Sequence, residues 1–221
     1  MSVYEFSGSP VLQDHMLKLR DEKTSDSKIV AYHVRKIGKL LFYEAARFLP
    51  TILKSVTTPT GYRAEGNIPV DNFAVETVLR ASVPFADAVR SEMGGQEFFS
   101  VCKRDENTLE PKKIFSYPGS VDGKVYGVLD PMIATAGTVI AVAKDRIAQG
   151  KPKELFFMGI FASPVGIENI QDEFGKNVKI FCGSIDNHYE KGFIGHGLNN
   201  KGYIIPGAGD MGDRLFGKNS V

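Results

Sequence analysis

The stretch VLDPMIATAGTVIAVAK, residues 128–144, sets the reading of the fold. The apolar run KVYGVLD (124–130) predicts a buried strand that ends in an acid. A turn of small residues follows. After it, Val139, Ile140, Ala143 and Ile147 recur at helical spacing, and Gly150 and Pro152 close the helix. Strand, small-residue turn and helix N-terminus together make an anion site. Ala134, Thr135, Ala136, Gly137 and Thr138 let backbone N–H groups approach a phosphate, and the helix dipole favours the charge. Thr135 and Thr138 add hydroxyl donors. Asp130 stands where a strand-end carboxylate binds ribose hydroxyls or a hydrated Mg²⁺, and Pro131 fixes the exit from the strand. An ordinary strand–turn–helix connection with a threonine cap would have the same spacing.

Working outward, strands alternate with helices. FAVETVL (73–79) predicts a buried strand, Pro84–Met93 a helix broken by Gly94-Gly95, and Glu97–Cys102 a strand. The charged segment KRDENTLEPKK (103–113) predicts a loop on a β-arm that continues into IFSYP. Downstream come a strand over 154–162, a helix over 164–174 and a strand over 177–185. The expected fold is α/β: an open, mostly parallel sheet flanked by helices, with right-handed crossovers. Such sheets bind ligands at the carboxyl ends of their strands, near a topological switch point. Upstream, a short helix over Val11–Arg20 precedes a helix over 26–49. In the second, Val30, Val34, Ile37, Leu41, Ala45 and Phe48 share a face, Asp26 or Ser27 caps the start and Pro50 ends it. These N-terminal helices (1–50) predict a packing layer or subunit interface within a single domain, 1–221. The tail, 187–221, is glycine-rich and irregular, and Ile204, Leu215 and their neighbours give it groups to pack.

Composition narrows the function. The 221 residues hold 27 basic and 26 acidic side chains, a net charge of +1, which disfavours a protein built to coat nucleic acid or anionic lipid. No apolar run reaches the roughly 20 residues that span a bilayer, and MSVYEFSGSP does not have the pattern of a signal peptide, so a cytoplasmic location is expected. Cys102 and Cys182 sit in apolar runs and predict two reduced, buried thiols. His15, His33, His188 and His196 have no metal-like or nucleophile-like partner spacing and predict surface or satisfied core positions.

LDPMIATAGT resembles the ribose-phosphate loop of the uracil phosphoribosyltransferase family, in which proline replaces the second of two acids seen in other type I phosphoribosyltransferases. Three further segments are similar to that family: VLRASVPFADAV (78–89), KRDENTLEP (103–111) and, most specifically, GYIIPGAGDMGDR (202–214). LRDEKTS (19–25) extends the likeness to nearly the whole chain. The resemblance implies an enzyme of pyrimidine salvage that joins uracil to 5-phosphoribosyl 1-pyrophosphate with the help of Mg²⁺, giving UMP and pyrophosphate. It assigns the phosphoribosyl pyrophosphate to Arg80, Arg104, Asp130, Pro131, Met132, Ile133, Ala134, Thr135, Ala136, Gly137, Thr138 and Asp210. It assigns uracil to Tyr203, Ile204, Gly209, Asp210 and Met211, with Ile204, Gly209 and Met211 reading the base through main-chain atoms. Asp210 and Arg104 carry the catalytic roles, and Asp213 and Arg214 a structural ion pair or a helix start. The family implies a homodimer or homotetramer, with GTP or CTP as effectors in some members.

Four positions depart from the family pattern. Ser82 and Ala136 stand where glycine is common, Lys103 replaces a tyrosine, and Met211 an alanine. A same-fold enzyme for another base, an RNA-binding pyrimidine regulator and an inactive relative are the alternatives. The main reading requires Asp130 and Asp210 to face one shared cavity.

Overall fold

The computed structural model describes residues 2–104, 111–188 and 196–217, with backbone alone at 103–104 and 112–114. Strand β1 (Val3–Glu5) leads into helix α1 (Pro10–Arg20), whose N-terminus Ser9 caps by accepting the Leu12 N–H. Helix α2 (Ser27–Ala45) is capped by Asp26, which accepts the N–H groups of Lys28 and Ile29. Val30, Val34, Ile37, Leu41 and Ala45 of α2 are buried, as their spacing requires. Phe48 departs from that face. A 3-10 turn over Ala46–Phe48 tightens the winding and swings Phe48 outward, leaving it 38% exposed, with its ring centroid 4.1 Å from that of Tyr4.

Strands β2 (Thr51–Thr57) and β3 (Arg63–Pro69) form an antiparallel hairpin apart from the main sheet. Almost every residue of it is exposed, so no buried face exists to impose a two-residue period, and the sequence has no signal for it.

The main sheet then begins. Strand β4 (Phe73–Leu79), helix α3 (Val83–Met93) and strand β5 (Gln96–Arg104) follow in order. Strand β5 returns antiparallel as β6 (Pro111–Ser116), which makes the anticipated arm; its segment 105–110 lies outside the described residues. Strand β7 (Val125–Leu129) and the short β8 (Met132–Ile133) lead to helix α4 (Gly137–Ile147). Strand β9 (Glu154–Ala162), helix α5 (Pro164–Phe174), strand β10 (Lys179–Ile185) and helix α6 (Met211–Phe216) complete the elements.

The strand order is β1-β10-β9-β7-β4-β5-β6, with β8 beside β9. All pairings are parallel except β5 with β6. This is the open, mostly parallel sheet that the alternation predicts. Side chains alternate between two cores. Val125 and Leu129 of β7 face the layer of α1, α2 and α3, while Tyr126 and Val128 face α4 and α5. The buried stripe of α4 is Val139, Val142, Ala143 and Arg146, with Ile140 and Ile147 only partly covered. The stripe is turned because the Arg146 guanidinium goes inward to Glu76 on β4.

From β4 the chain steps one way to β5, and from β7 it steps the other way through β9 to β10. The switch point therefore lies between β4 and β7, and a crevice opens at their carboxyl ends. Arg80 follows β4 there, and Asp130 follows β7. No helix among the described residues is long and apolar enough to cross a membrane.

Candidate active site

The turn after β7 is held from behind. Ser163 donates its N–H to the Ile133 carbonyl (2.9 Å) and its hydroxyl to the Ala134 carbonyl (2.6 Å). Asn169 Nδ2 donates to the Thr135 carbonyl at 3.0 Å. With carbonyls 134 and 135 drawn toward α5, planar trans peptides turn the N–H groups of Thr135 and Ala136 the opposite way. A cavity of about 60 Å³ lies here, lined by Asp130, Met132, Ile133, Ala134, Thr135, Ala136, Gly137, Thr138 and Val139. Pro131 is not part of that lining. It is buried, and its carbonyl accepts the N–H groups of Ile160 and Phe161, which fixes the turn to β9. The turn thus offers bare amides and two threonines, a cradle for a phosphate.

Asp130 heads this turn, and its Oδ1 accepts the Met132 N–H at 3.0 Å. Burial pushes its pKa up from the ordinary 3.8 to about 7, against the opposing pull of that bond. Ala136, the residue before α4, has φ +60° and is the only non-glycine residue at positive φ among the described residues. A methyl group in that region is strained.

Across the crevice stands the C-terminal segment. A second cavity of about 190 Å³ is walled by Ala81, Asp130, Met132, Ala134 and Thr138 on one side and by 202–204 and 209–212 on the other. Asp130 and Asp210 therefore share one cavity. Tyr203, Ile204, Gly209 and Met211 line it with them. Asp210 is exposed, its Oδ1 caps α6 by accepting the Asp213 N–H at 2.9 Å, and the Tyr203 hydroxyl lies 3.4 Å from its Oδ2.

Asp213 and Arg214 go to different partners rather than to each other. Asp213 Oδ1 lies 3.7 Å from Arg80 Nη2. Arg214 donates to the carbonyls of Leu19, Asp21, Thr24 and Ala208. The helix start belongs to Asp210. Arg80 sits at the cavity's edge, next to Ala81, with its guanidinium 6.0 Å from the Phe216 ring.

The Arg104 side chain is outside the described atoms, but its backbone pairs with Pro111. A Cβ placed on Gly137 would come within 3.2 Å of Pro111 Cδ, so the end of the arm abuts the phosphate turn. Below the arm lies a group that the motifs do not reveal. Glu76 and Arg146 are both fully buried and paired at 2.8 Å. Tyr126 and Ser100 donate their hydroxyls to Glu76, and Arg146 also donates to the Tyr117 and Gly119 carbonyls just beyond β6. Burial, then the Glu76 charge, pushes the Tyr126 phenol well above its ordinary pKa and keeps it a donor. The sequence signal was an acid in the middle of FAVETVL, since a charge in a strand covered on both faces needs a partner. His15 and His33 pair through Nδ1 atoms at 2.9 Å between α1 and α2, which places both away from the crevice. Cys182 is buried, while Cys102 is only partly covered, a correction to its expected burial.

The family model for uracil phosphoribosyltransferase matches residues 6–218. The chain belongs to the uracil phosphoribosyltransferase family. A relative named uracil phosphoribosyltransferase from Dictyoglomus thermophilum is 34% identical over 212 residues, covering 94% of this chain and 96% of the relative. Another of that name, from Lactiplantibacillus plantarum, is 30% identical, covering 98% and 99%. Among solved structures, the AQ2163 protein from Aquifex aeolicus is 28% identical, with a TM-score of 0.84 over 99% of this chain and 100% of that one.

Two departures from the family's common residues have physical readings. Ser82 has φ −77°, an ordinary right-handed value that needs no glycine, though its buried hydroxyl has no hydrogen-bond partner among the described residues. Met211 borders the cavity yet is only 2% exposed, because most of it packs into the core under the segment.

Proposed function

We propose that this member of the uracil phosphoribosyltransferase family transfers the 5-phosphoribosyl group from phosphoribosyl pyrophosphate to N1 of uracil. One observation supports the reading most: Asp130 of the phosphate turn and Asp210 of the C-terminal segment, 196–217, which forms a hood over the turn in this reading, stand on the wall of one cavity. In this reading the 5′-phosphate sits on the amides and hydroxyls of 135–138, since the Ala134 N–H is taken by the Met132 carbonyl at 2.9 Å. Asp130 takes the ribose hydroxyls. The bond from the anomeric carbon to pyrophosphate breaks as the bond to uracil N1 forms from the opposite face, with inversion, and the N1 proton is released to water. Asp210 stabilises the positive charge that develops on the anomeric carbon. Main-chain groups of 204, 209 and 211 read the uracil edge. Cytosine would present a donor where uracil presents an acceptor and leave buried groups unpaired. Positioning supplies much of the rate.

Arg80 and Arg104 neutralise the departing pyrophosphate. The carboxylates on the cavity wall, Asp130 and Asp210, are single oxygen donors from different segments. That donor set suits a Mg²⁺ carried on the pyrophosphate and completed by water, and the ion would supply charge neutralisation. The family resemblance also supports a homodimer or homotetramer, a response to GTP or CTP, and a cytoplasmic location. Size-exclusion chromatography with and without each nucleotide tests the first two.

Pyrophosphate release, measured with uracil, cytosine, hypoxanthine or orotate as acceptor, tests the reaction. Release with uracil alone is expected. Release with another base and not with uracil would overturn the base assignment.

A further inference from the structure

The segment LRDEKTS (19–25) has no place in the chemistry above, yet two independent sets of hydrogen bonds tie it to the hood. Arg20, the last residue of α1, donates Nη1 to Asp186 Oδ2 at 2.6 Å and Nη2 to Asp186 Oδ1 at 2.7 Å. The same Nη1 donates to the Gly207 carbonyl at 2.8 Å. Asp186 Oδ2 in turn accepts the Gly207 N–H at 2.8 Å, and its Oδ1 accepts the Ser184 hydroxyl at 2.8 Å. Both backbone polar groups of Gly207 are therefore held by one ion pair. The pair has little freedom. Asp186 is only 3% exposed and Arg20 only 19%, and the guanidinium lies 4.0 Å from the Phe161 ring centroid. Burial acts to raise the Asp186 pKa, but the bonds from Arg20, Ser184 and Gly207 outweigh it and hold the carboxylate below its ordinary value. Gly207 has φ +53°, and a Cβ there would meet the Ile204 carbonyl at 2.2 Å, so the residue is locked against Ile204. One residue further, the Ala208 carbonyl accepts Arg214, whose other bonds go to carbonyls of the 19–24 segment.

We propose that Arg20 and Asp186 are positioning residues for the nucleobase: their ion pair holds the 207–208 peptides and so sets the 204 and 209 main-chain groups that read uracil. Neither residue lines the cavity. Their effect reaches the base only through the hood backbone, while the phosphate turn, built on β7 and α4, is held by other bonds. The inference rests on the reading of the hood as the uracil site.

The test is steady-state kinetics on Arg20→Lys, Asp186→Asn and the double variant, with thermal melts to confirm folding. Lysine keeps the charge but cannot serve both Asp186 oxygens and the Gly207 carbonyl in one planar fork. KM for uracil should rise about tenfold or more in each single variant, while KM for phosphoribosyl pyrophosphate and kcat stay within about threefold. The double variant should be about as impaired as the worse single one, as for two members of one unit. Ser184→Ala removes only one outer bond to Asp186. It is a milder probe should the others not fold, and it should raise KM for uracil by about threefold through loss of one hydrogen bond. Unchanged KM for uracil in folded variants, or both KM values rising together, overturns the proposal while wild-type turnover of uracil leaves the parent reading standing. A wild type that does not use uracil overturns both.

Discussion

The two walls of the cavity are built in opposite ways. The phosphate turn, 130–138, is one continuous strand–turn–helix whose amides are aimed by bonds to the next strand and helix in the chain, through Ser163 and Asn169. The hood, 196–217, has one short helix and an isolated bridge between Leu198 and Ile204. It is held by Arg20 and by the carbonyls of 19–24, nearly two hundred residues away in sequence. A phosphate is a symmetrical anion and needs only converging amides, which a local motif can present. A neutral base needs donors and acceptors in one order along one edge, and in this chain the irregular backbone that can supply them needs outside support.

The largest effect should come from beneath the turn and the arm. Glu76→Leu strips the fully buried Arg146 of its ion-pair partner, and loss of one member of such a pair costs about 3–5 kcal/mol. Chemical denaturation should show that loss, with Arg146→Met in the same background recovering part of it. If Glu76→Leu melts like wild type, the pair is not what ties the arm to the sheet.

On the hood side, Asp210→Asn should lower kcat by about 100-fold, comparable to removal of one charge-stabilising group. The variant should stay folded, since asparagine caps a helix as well as aspartate does. Near-normal turnover would take Asp210 out of the chemistry and leave it as the α6 cap alone.

The turn carries a pH signature of its own. Asp130 in the folded protein has a pKa of about 7 against an ordinary 3.8. The folded state therefore holds this proton more tightly than the unfolded chain. The contribution to stability is complete below about pH 4 and is lost as pH rises from there to about 7. Asp130→Asn should remove that slope, so melts from pH 4 to 8 should show the variant gaining on wild type as pH rises. If Asp130 takes the ribose hydroxyls as proposed, it does so in its ionised form, and wild-type KM for phosphoribosyl pyrophosphate should rise below pH 7, by up to about tenfold for each unit. The variant's KM should be higher at pH 8 and flat. Parallel profiles for the two proteins would place the titrating group elsewhere.

The smallest effect tests the strain in the turn. Ala136 sits at φ +60°, and glycine there should stabilise the fold by about 1 kcal/mol, a rise of roughly 2–4 °C in Tm for a chain of this size. A fall in Tm for Ala136→Gly would mean that the methyl contact in the core outweighs the backbone cost.

Much of this molecule was legible in order along the chain. The strands β4, β5, β7, β9 and β10, the Asp26 cap and the anion-site pattern at 128–144 are short-range features, set by periodicity and turn chemistry within a few residues; β1 and β8, only two or three residues long, were not legible. The exposed β2–β3 hairpin was not legible, because with neither face buried nothing disciplines its pattern. Phe48 and the turned face of α4 were misjudged for the same kind of reason: a 3-10 turn and a buried guanidinium override a 3.6-residue count. The cavity was legible only as a requirement. Asp130 and Asp210 are eighty residues apart, and no property of either segment says how far apart they lie in space.

By itself, the sequence determined the strand–helix alternation, the phosphate cradle and, through its resemblance to a family, the chemistry to look for. Only the tertiary structure decided that Asp130 and Asp210 face one cavity, that Arg146 finds Glu76, and that Arg20 reaches the hood. The division follows from range. Backbone propensity, capping and periodicity act over a few residues and leave their mark in local order. An ion pair or a shared cavity depends on where the packed sheet brings distant segments, and that is fixed by the whole fold at once.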